Sequence, residues 1–289
     1  IERHVIPAIG QHPLMGLRPE HVAALYHSML DGGASPRSVL HVHRIISNAL
    51  GQAVRWQMVP RNVAQVVTPP RPRKAETHAL APADLRRVLE AFQSSPYYGL
   101  LYLAAFSGAR RSEILGLRWQ DVDFDRGTIR IVQTLHQLID GTLVFEEPKT
   151  QSGRRTIPLS TSAVLALRAH RERSEAEQAL GHRTLDSDAL VFIMPDGRPI
   201  KPYTISQAFR RVVRRLGLNV RLHDLRHTHA SVLLLAGVHP KAVQERLGHA
   251  NISITLDTYT HLLPGIAEAT ADQFEDAMRD QQDTVEIVS

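Results

Sequence analysis

Cysteine is absent from all 289 residues, which removes disulfides, thiolate metal sites and a cysteine nucleophile together. Any nucleophile is then expected to be oxygen. Long apolar runs are missing too. No stretch approaches the roughly 20 apolar residues that cross a bilayer, and no basic-then-apolar leader opens the chain, so a cytoplasmic protein with no membrane partner is expected. Lysine is scarce: Lys74, Lys149, Lys201 and Lys241 stand against 34 basic residues in all. Positive charge is carried almost wholly by guanidinium groups, which keep their proton. A lysine retained against that bias is a candidate for a task that needs a transferable one.

What is present bounds the rest. The length allows two domains, and 43% hydrophobic residues is ordinary for a globular chain. Charge is unevenly spread. Residues 1–74 carry nine basic and three acidic groups, a net of +6, whereas 264–289 carry one basic and seven acidic, a net of −6. The segment between is +5, which completes the overall +5. A basic front and middle suit a polyanion, with the acidic tail serving another purpose or none. The chain opens on Ile1 within I-E-R-H-V-I-P-A-I-G, which reads as the middle of a domain; an upstream segment is expected.

Periodicity and punctuation predict the architecture. Val22, Leu25, Met29 and Leu30 fall on one stripe of a helix over 19–30, ended by D-G-G-A-S-P. A second helix starts with Ser35 as N-cap and Pro36 at its first position, its apolar face running from Val39 through Val42, Ile45, Ile46, Ala49 and Leu50 to Val54. Its other face carries Arg37, Ser38, His41 and Arg44. V-T-P-P-R-P-R-K, from Val67, is too rich in proline for helix or central strand. It sets the boundaries: a front domain over 1–70, a linker over 71–77, and a second domain over 78–289 that includes the acidic tail from 264. Helical patterns beyond the linker break at Ser107–Gly108 and resume at Arg110. T-I-R-I-V, T-L-V-F-E-E and R-R-T-I-P-L then predict one three-stranded antiparallel sheet. Helices follow over 162–179, 204–216, 224–235, 240–247 and 255–263. The fold class is mainly α with a small antiparallel β-sheet.

The strongest chemical signal is H-D-L-R-H-T-H-A-S at 223–231, followed by L-G-H-A-N-I-S-I-T-L-D-T-Y-T-H at 247–261. Together they supply His223, Arg226, His249 and Tyr259, a set suited to attack on phosphate. A phosphodiester repels nucleophiles and has a poor alkoxide leaving group, so two oxygens need neutralising and a third needs a proton. Guanidinium is planar, charged and bidentate, which matches the equatorial oxygens of a pentavalent phosphorus. Arg110 and Arg226 are the candidates, with His249 as a further donor. Lys149 can protonate the leaving oxygen if neighbouring arginines lower its pKa. Tyr259 is the candidate nucleophile, and His223 its base or the holder of that network. This chemistry requires no metal or nucleotide cofactor, since no water is activated.

S-G-A-R-R-S-E at 107–113 resembles the first arginine box of the tyrosine recombinases, also called the phage integrase family, and E-P-K-T-Q-S-G-R-R-T-I-P-L resembles the stretch where that family carries a hairpin lysine. Arg110, Lys149, His223, Arg226, His249 and Tyr259 all match in family order. The resemblance covers roughly 80–263, and more weakly the front domain, where E-R-H-V-I-P-A-I-G and A-V-R-W-Q-M-V-P-R-N-V-A look like the α-helical core-binding domain of prophage and integrative-element integrases. Ser107 stands where Thr is commoner, and Val63 where Pro often follows Asn. The resemblance implies a site-specific integrase that forms a 3′-phosphotyrosine and a Holliday junction. It also implies double-stranded DNA attachment sites as substrate, a C-shaped clamp on the duplex, a homotetramer on synapsed DNA and accessory DNA-bending proteins. Glu113 would orient the site, as the family's acid at this place does, unless it forms a simple surface ion pair. Arg37, Ser38, His41 and Arg44, with Arg71, Arg73 and Lys74 of the linker, either meet DNA or form a solvated face. The tail, with Thr270, Phe274, Ala277 and Met278 at helical spacing, either docks on a neighbouring protomer or is a disordered end.

Three rivals belong to other classes. His223 and His227 have the i, i+4 spacing of a zinc helix, but Asp224 stands where H-E-x-x-H needs Glu. A non-cleaving DNA-binding protein of the same fold would be expected to lose at least one of the six residues. A type IB topoisomerase shares the tyrosine chemistry but not the combination of basic front domain with H-x-x-R and L-G-H boxes.

Overall fold

The computed structural model describes residues 1–73, 79–148 and 150–253. The chain divides into two compact units, Ile1–Glu76 and Thr77–Ser289. Among the described residues no helix is long and apolar enough to cross a membrane.

The first unit packs α1 (Val5–Ile9), α2 (Pro19–Asp31) and α3 (Pro36–Arg55) with a 3-10 turn at Val63–Val66. Pro36 opens α3 where its missing N–H costs nothing, and Ser35 caps the helix by accepting from the Ser38 N–H at 3.2 Å. Val22, Leu25, Tyr26 and Met29 of α2 meet Val39, Val42, Ile46 and Leu50 of α3 in one core. Asn62 closes it from below: its Nδ2 donates to the Ser47 carbonyl at 2.8 Å, and its Oδ1 accepts from the Ala64 N–H at 3.0 Å. The buried amide thus fastens the 3-10 turn to α3 without leaving a polar atom unsatisfied.

The second unit is mostly helical: α4 (Pro82–Ala91), α5 (Tyr98–Ser107), α6 (Arg111–Leu115), α7 (Thr161–Leu180), α8 (Pro202–Arg215), α9 (Asp224–Leu235) and α10 (Pro240–Leu247). Residues 254–289, which include the helix expected over 255–263 and the acidic tail, lie outside the described residues. So does Lys74. α5, Y-G-L-L-Y-L-A-A-F-S, is apolar on every side and accordingly central, with Leu100, Leu101 and Leu103 fully buried. Around it close Ile114 and Leu115 of α6, Leu167 of α7, Phe209 of α8 and Leu225 of α9.

The strands correct one expectation. Of the three segments predicted to share a sheet, two do and one does not: β2 (Thr128–Ile131) pairs antiparallel with β5 (Arg155–Pro158) and with the short β1 (Val122–Asp123), while β4 (Leu143–Glu146) pairs with β3 (Thr134–Gln137) in a separate hairpin. The reason lies in the phase of burial. Ile129 and Ile131 face inward two apart, but Thr134 and Leu135 are buried as neighbours. A ladder alternates sides with period two, so two neighbours buried together fall outside it: the pairing of β2 ends at Ile131 with Arg155 and a new one begins at Thr134 with Glu146. The I-D-G-T turn does join strands, with Asp140 Oδ1 accepting from the Thr142 N–H at 2.9 Å.

His170 of α7 is a buried polar tie within this unit. Its Nε2 donates to the Val191 carbonyl at 2.8 Å, and its Nδ1 accepts from Arg173 at 3.0 Å. Its ring stacks on Phe192, centroids 4.8 Å apart. Burial holds its pKa down at about 4, against an ordinary 6.5. The folded protein therefore keeps this imidazole neutral where the unfolded chain protonates it, and stability rises with pH between 4 and 6.5. Over that window one proton accounts for about 1.4 kcal/mol per pH unit. Urea melts at successive pH values check it: His170→Gln is expected to flatten the slope by up to that amount, and an unchanged slope would show that His170 takes no part.

Candidate active site

Two left-handed glycines bring the site's elements together. Gly108, at φ +66°, ends α5, and a Cβ there would stand 2.7 Å from His229 Cδ2 and 2.8 Å from Leu247 Cδ2. Gly248, at φ +67°, ends α10, and a Cβ there would stand 2.7 Å from Arg155 Nη1 and 2.8 Å from the Ser152 carbonyl oxygen. Only glycine tolerates both the backbone angle and the approach. The bare backbone lets the α5–α6 turn, the α10 end and β5 converge.

Arg226 of α9 is 3% exposed and bridges these turns, donating from Nη1 to the Gly108 carbonyl and from Nη2 to the Leu247 carbonyl, each at 2.7 Å. Arg110 stands at the N-cap of α6, its Nη2 3.4 Å from the Gly248 carbonyl and its side chain 38% exposed. One arginine is built into the protein and the other reaches solvent.

Glu113 joins them. Its Oε2 accepts from the Arg110 backbone N–H at 2.7 Å and from Arg155 Nη2 at 2.9 Å; its Oε1 accepts from Arg110 Nη1 at 2.8 Å and from Arg155 Nη1 at 3.1 Å. At 2% exposed it is no surface ion pair, so that alternative is set aside. Burial pushes its pKa up, but the hydrogen bonds and charge of Arg155, and then of Arg110, outweigh burial and hold it below the usual carboxylate range.

The imidazoles lie within reach of the same charges. His223 precedes α9, with its ring edge-on to His227 at 5.0 Å between centroids. Burial, then His227, Arg226 and Arg110, lower its pKa to about 4, with only Asp224 opposing. His249 falls to about 3 through burial and the charges of Arg226, Arg110 and Arg155, with His227 adding. Its backbone is fixed to α10 by an N–H bond to the Gln244 carbonyl at 3.1 Å and by a Gln244 Nε2 bond to its own carbonyl at 2.8 Å. Both imidazoles are therefore neutral near pH 7 and offer one donor and one acceptor each. Among the described residues, Arg110, Arg226 and Arg155 outnumber Glu113 and Asp224, so positive charge is in excess there. Arg110 and His223 also border a cleft of about 1200 Å³ shared with Arg111, Gln137, Tyr203 and Arg210.

The structure thus gathers Arg110, Glu113, His223, Arg226 and His249. Lys149 and Tyr259 lie outside the described residues. Arg37, Ser38, His41 and Arg44 are exposed on α3 of the first unit, and Arg71 and Arg73 are exposed after it; the Ser38 hydroxyl shares a 2.9 Å hydrogen bond with Ser35 within the helix cap. Among the described residues no group of three or more His, Asp or Glu is arranged to hold a metal ion.

Three site residues were not singled out from sequence. Arg155 was legible in principle: period two places it on the face of β5 that carries the buried Ile157. His229 and Arg246 carried no such signal. The His229 ring lies 2.9 Å from the Ala105 carbonyl through Nδ1 and accepts from Arg246 Nε at 2.9 Å through Nε2, while Arg246 Nη2 reaches the Phe106 carbonyl at 3.1 Å. That chain of bonds ties α10 to the end of α5.

The family model described as "Phage integrase family" matches residues 78–265. A "Tyrosine recombinase XerC-like" protein of Caldanaerobacter subterraneus subsp. tengcongensis is 28% identical over 260 residues, 83% of this chain and 66% of its own. The ICEBs1 integrase of Bacillus subtilis is 24% identical over 282 residues, 96% of this chain and 76% of its own. The chain thus spans about two thirds to three quarters of these relatives. In fold, it is similar to the Tn1549 transposon integrase solved with transposon right end DNA, with a TM-score of 0.77 at 24% identity, covering 89% of this chain and 87% of that one. With the family model spanning well over half of its residues, the chain belongs to the phage integrase family, the tyrosine recombinases.

Proposed function

We propose that this protein is a site-specific DNA recombinase that cuts and rejoins strands through a covalent 3′-phosphotyrosine. The observation that carries the reading is the convergence of Arg110, Arg226, His223 and His249 around one positively charged pocket, with Glu113 buried behind it. Such a pocket suits a phosphodiester: guanidinium groups take the non-bridging oxygens, and neutral His249 adds a donor. Charge that grows on those oxygens during attack is stabilised by dipoles and charges already in place.

Tyr259 supplies the nucleophile. Its phenol oxygen bonds to phosphorus as the bond from phosphorus to the 5′ oxygen breaks; the phenol proton passes to His223, whose depressed pKa keeps it an acceptor at neutral pH, and Lys149 gives a proton to the leaving oxygen. The phosphotyrosine conserves the bond energy. A 5′ hydroxyl from the partner duplex can reverse the step, so one exchange yields a Holliday junction and a second resolves it. Four cleavages imply four protomers. Residues 1–70 act as a core-binding domain and 78–289 as the catalytic domain, with Arg37, His41 and Arg44, and the linker's Arg71, Arg73 and Lys74, meeting phosphates. Accessory DNA-bending proteins fit this scheme, and the acidic tail after 264 would dock between protomers.

Covalent capture from a randomised pool of nicked duplexes tests the reading. Adducts whose peptide maps to Tyr259 are expected from the wild type and none from Tyr259→Phe, which keeps its affinity for the captured duplex. Binding without any adduct from the wild type would assign the chain to the non-cleaving alternative.

The proton donor is separable from the phosphate clamp. Lys149→Ala is expected to slow cleavage by about 10²–10⁴-fold, and to recover on a duplex whose bridging 5′ oxygen is replaced by sulfur, because a thiolate leaves unprotonated. Arg110→Ala should show no recovery; rescue of both or of neither would overturn the division of roles.

Phosphate binding by the first unit can be read from salt. Arg37→Ala with Arg44→Ala should lower the slope of log affinity against log salt by about 0.9 for each phosphate that is no longer neutralised. An unchanged slope would make that helix face solvated surface.

A further inference from the structure

We infer that Arg155 is a positioning residue that fixes the distance between Arg110 and His249. The inference rests on the proposed reading of those two as phosphate-binding groups. Arg155 opens β5, and its side chain is 8% exposed. Its guanidinium holds both oxygens of Glu113, at 3.1 and 2.9 Å, and its Nε donates to the Arg246 carbonyl at 2.8 Å. The first contact reaches Arg110 through the shared carboxylate, because Arg110 donates to Glu113 from both backbone and side chain. The second grips the end of α10, two residues before Gly248 and three before His249.

Arg110 itself reaches the end of α10 only at 3.4 Å, through the Gly248 carbonyl, whereas Arg155 ties the same carboxylate to α10 at 2.8 Å. Arg226 also joins the α5–α6 turn to α10, but through carbonyls at Gly108 and Leu247, not through the group that orients Arg110. Arg246 and His229 tie α10 to α5 and do not touch Glu113. The approach at Gly248 shows how closely Arg155 is fitted: a Cβ would stand 2.7 Å from its Nη1 and 3.0 Å from its Cζ. A shorter lysine ammonium cannot make the two-pronged contact with Glu113 and reach the Arg246 carbonyl together, since it lacks the planar fork. Misplacement of a clamp by an ångström lowers a rate by roughly 10²-fold.

The test uses the full chain, the captured duplex, and two variants, Arg155→Lys and Arg155→Met. Three readouts are compared: thermal melting with duplex affinity, the rate of adduct formation, and imidazole titration followed by NMR. The expected result is a folded Arg155→Lys protein that binds the duplex like the wild type but forms adducts about 10²-fold more slowly. Arg155→Met should be at least as slow, and the lysine should give little rescue. The His249 titration should move upward in Arg155→Met, since one of the charges holding it down is gone, while that of His223, which does not feel Arg155, stays in place. A structural role alone would lower duplex affinity together with the rate in Arg155→Lys, or move both histidines together, and either result overturns the proposal; a lower melting temperature in Arg155→Met is expected from the broken buried pair and decides nothing. So does an adduct rate near the wild type in Arg155→Lys. Should Arg155→Met fail to fold, the lysine variant decides by rate and affinity. If the wild-type protein forms no adduct at all, the functional reading fails, while the histidine titrations still judge the link between Arg155 and His249.

Discussion

A single buried carboxylate organises this site. Glu113 accepts four hydrogen bonds from two arginines that approach from different parts of the chain, one at the head of α6 and one at the start of β5. An isolated charge at 2% exposure could not be tolerated, so the fold must deliver both guanidinium groups to it. Surface ion pairs contribute about 0–1 kcal/mol, whereas removing one partner from a buried pair costs about 3–5 kcal/mol. The close turns at Gly108 and Gly248, and the end of α10, are arranged around that requirement.

The same arrangement explains the electrostatics. Glu113 compensates part of the charge of Arg110 and Arg155, and burial together with the remaining positive charge depresses the basicity of the neighbouring imidazoles. Guanidinium groups held this close together favour the approach of an anion. A phosphodiester fits, being singly charged and rich in acceptor oxygens. It brings the missing negative charge, and neutral imidazoles meet it as donor and acceptor rather than as further cations.

Much of this was legible in sequence because it depended on local chemistry. Ser35 and Pro36 announce the start of α3, apolar residues at helical spacing announce the core of the first unit, and Gly108 marks the break after α5. His223 and Arg226 sit one helical turn apart, and Arg110, Glu113 and His249 lie near them in the structure. The sheet was less legible. T-L-H-Q at Thr134–Gln137 is short and half polar, so nothing in it signalled a strand, and the shift of inward residues from Ile131 to Thr134 shows only in burial. Glu113 could be seen as an ion-pair partner of Arg110, yet its burial could not, because the second partner lies 42 residues away. Arg246 and His229 escaped for a similar reason: their bonds run to the carbonyls of Phe106 and Ala105, and backbone acceptors leave no mark in a sequence.

On the proposed function, one phosphate fills the space between Arg110, Arg226 and His249. A crystal structure of the protein on a captured nicked duplex measures this directly. The scissile phosphate is expected with its non-bridging oxygens within hydrogen-bond distance of both guanidinium groups and of the His249 ring, with Arg155 still spanning Glu113 and the Arg246 carbonyl. A scissile phosphate held by other residues, with Arg110 and His249 remote from it, would show that this pocket is not where the strand is cut.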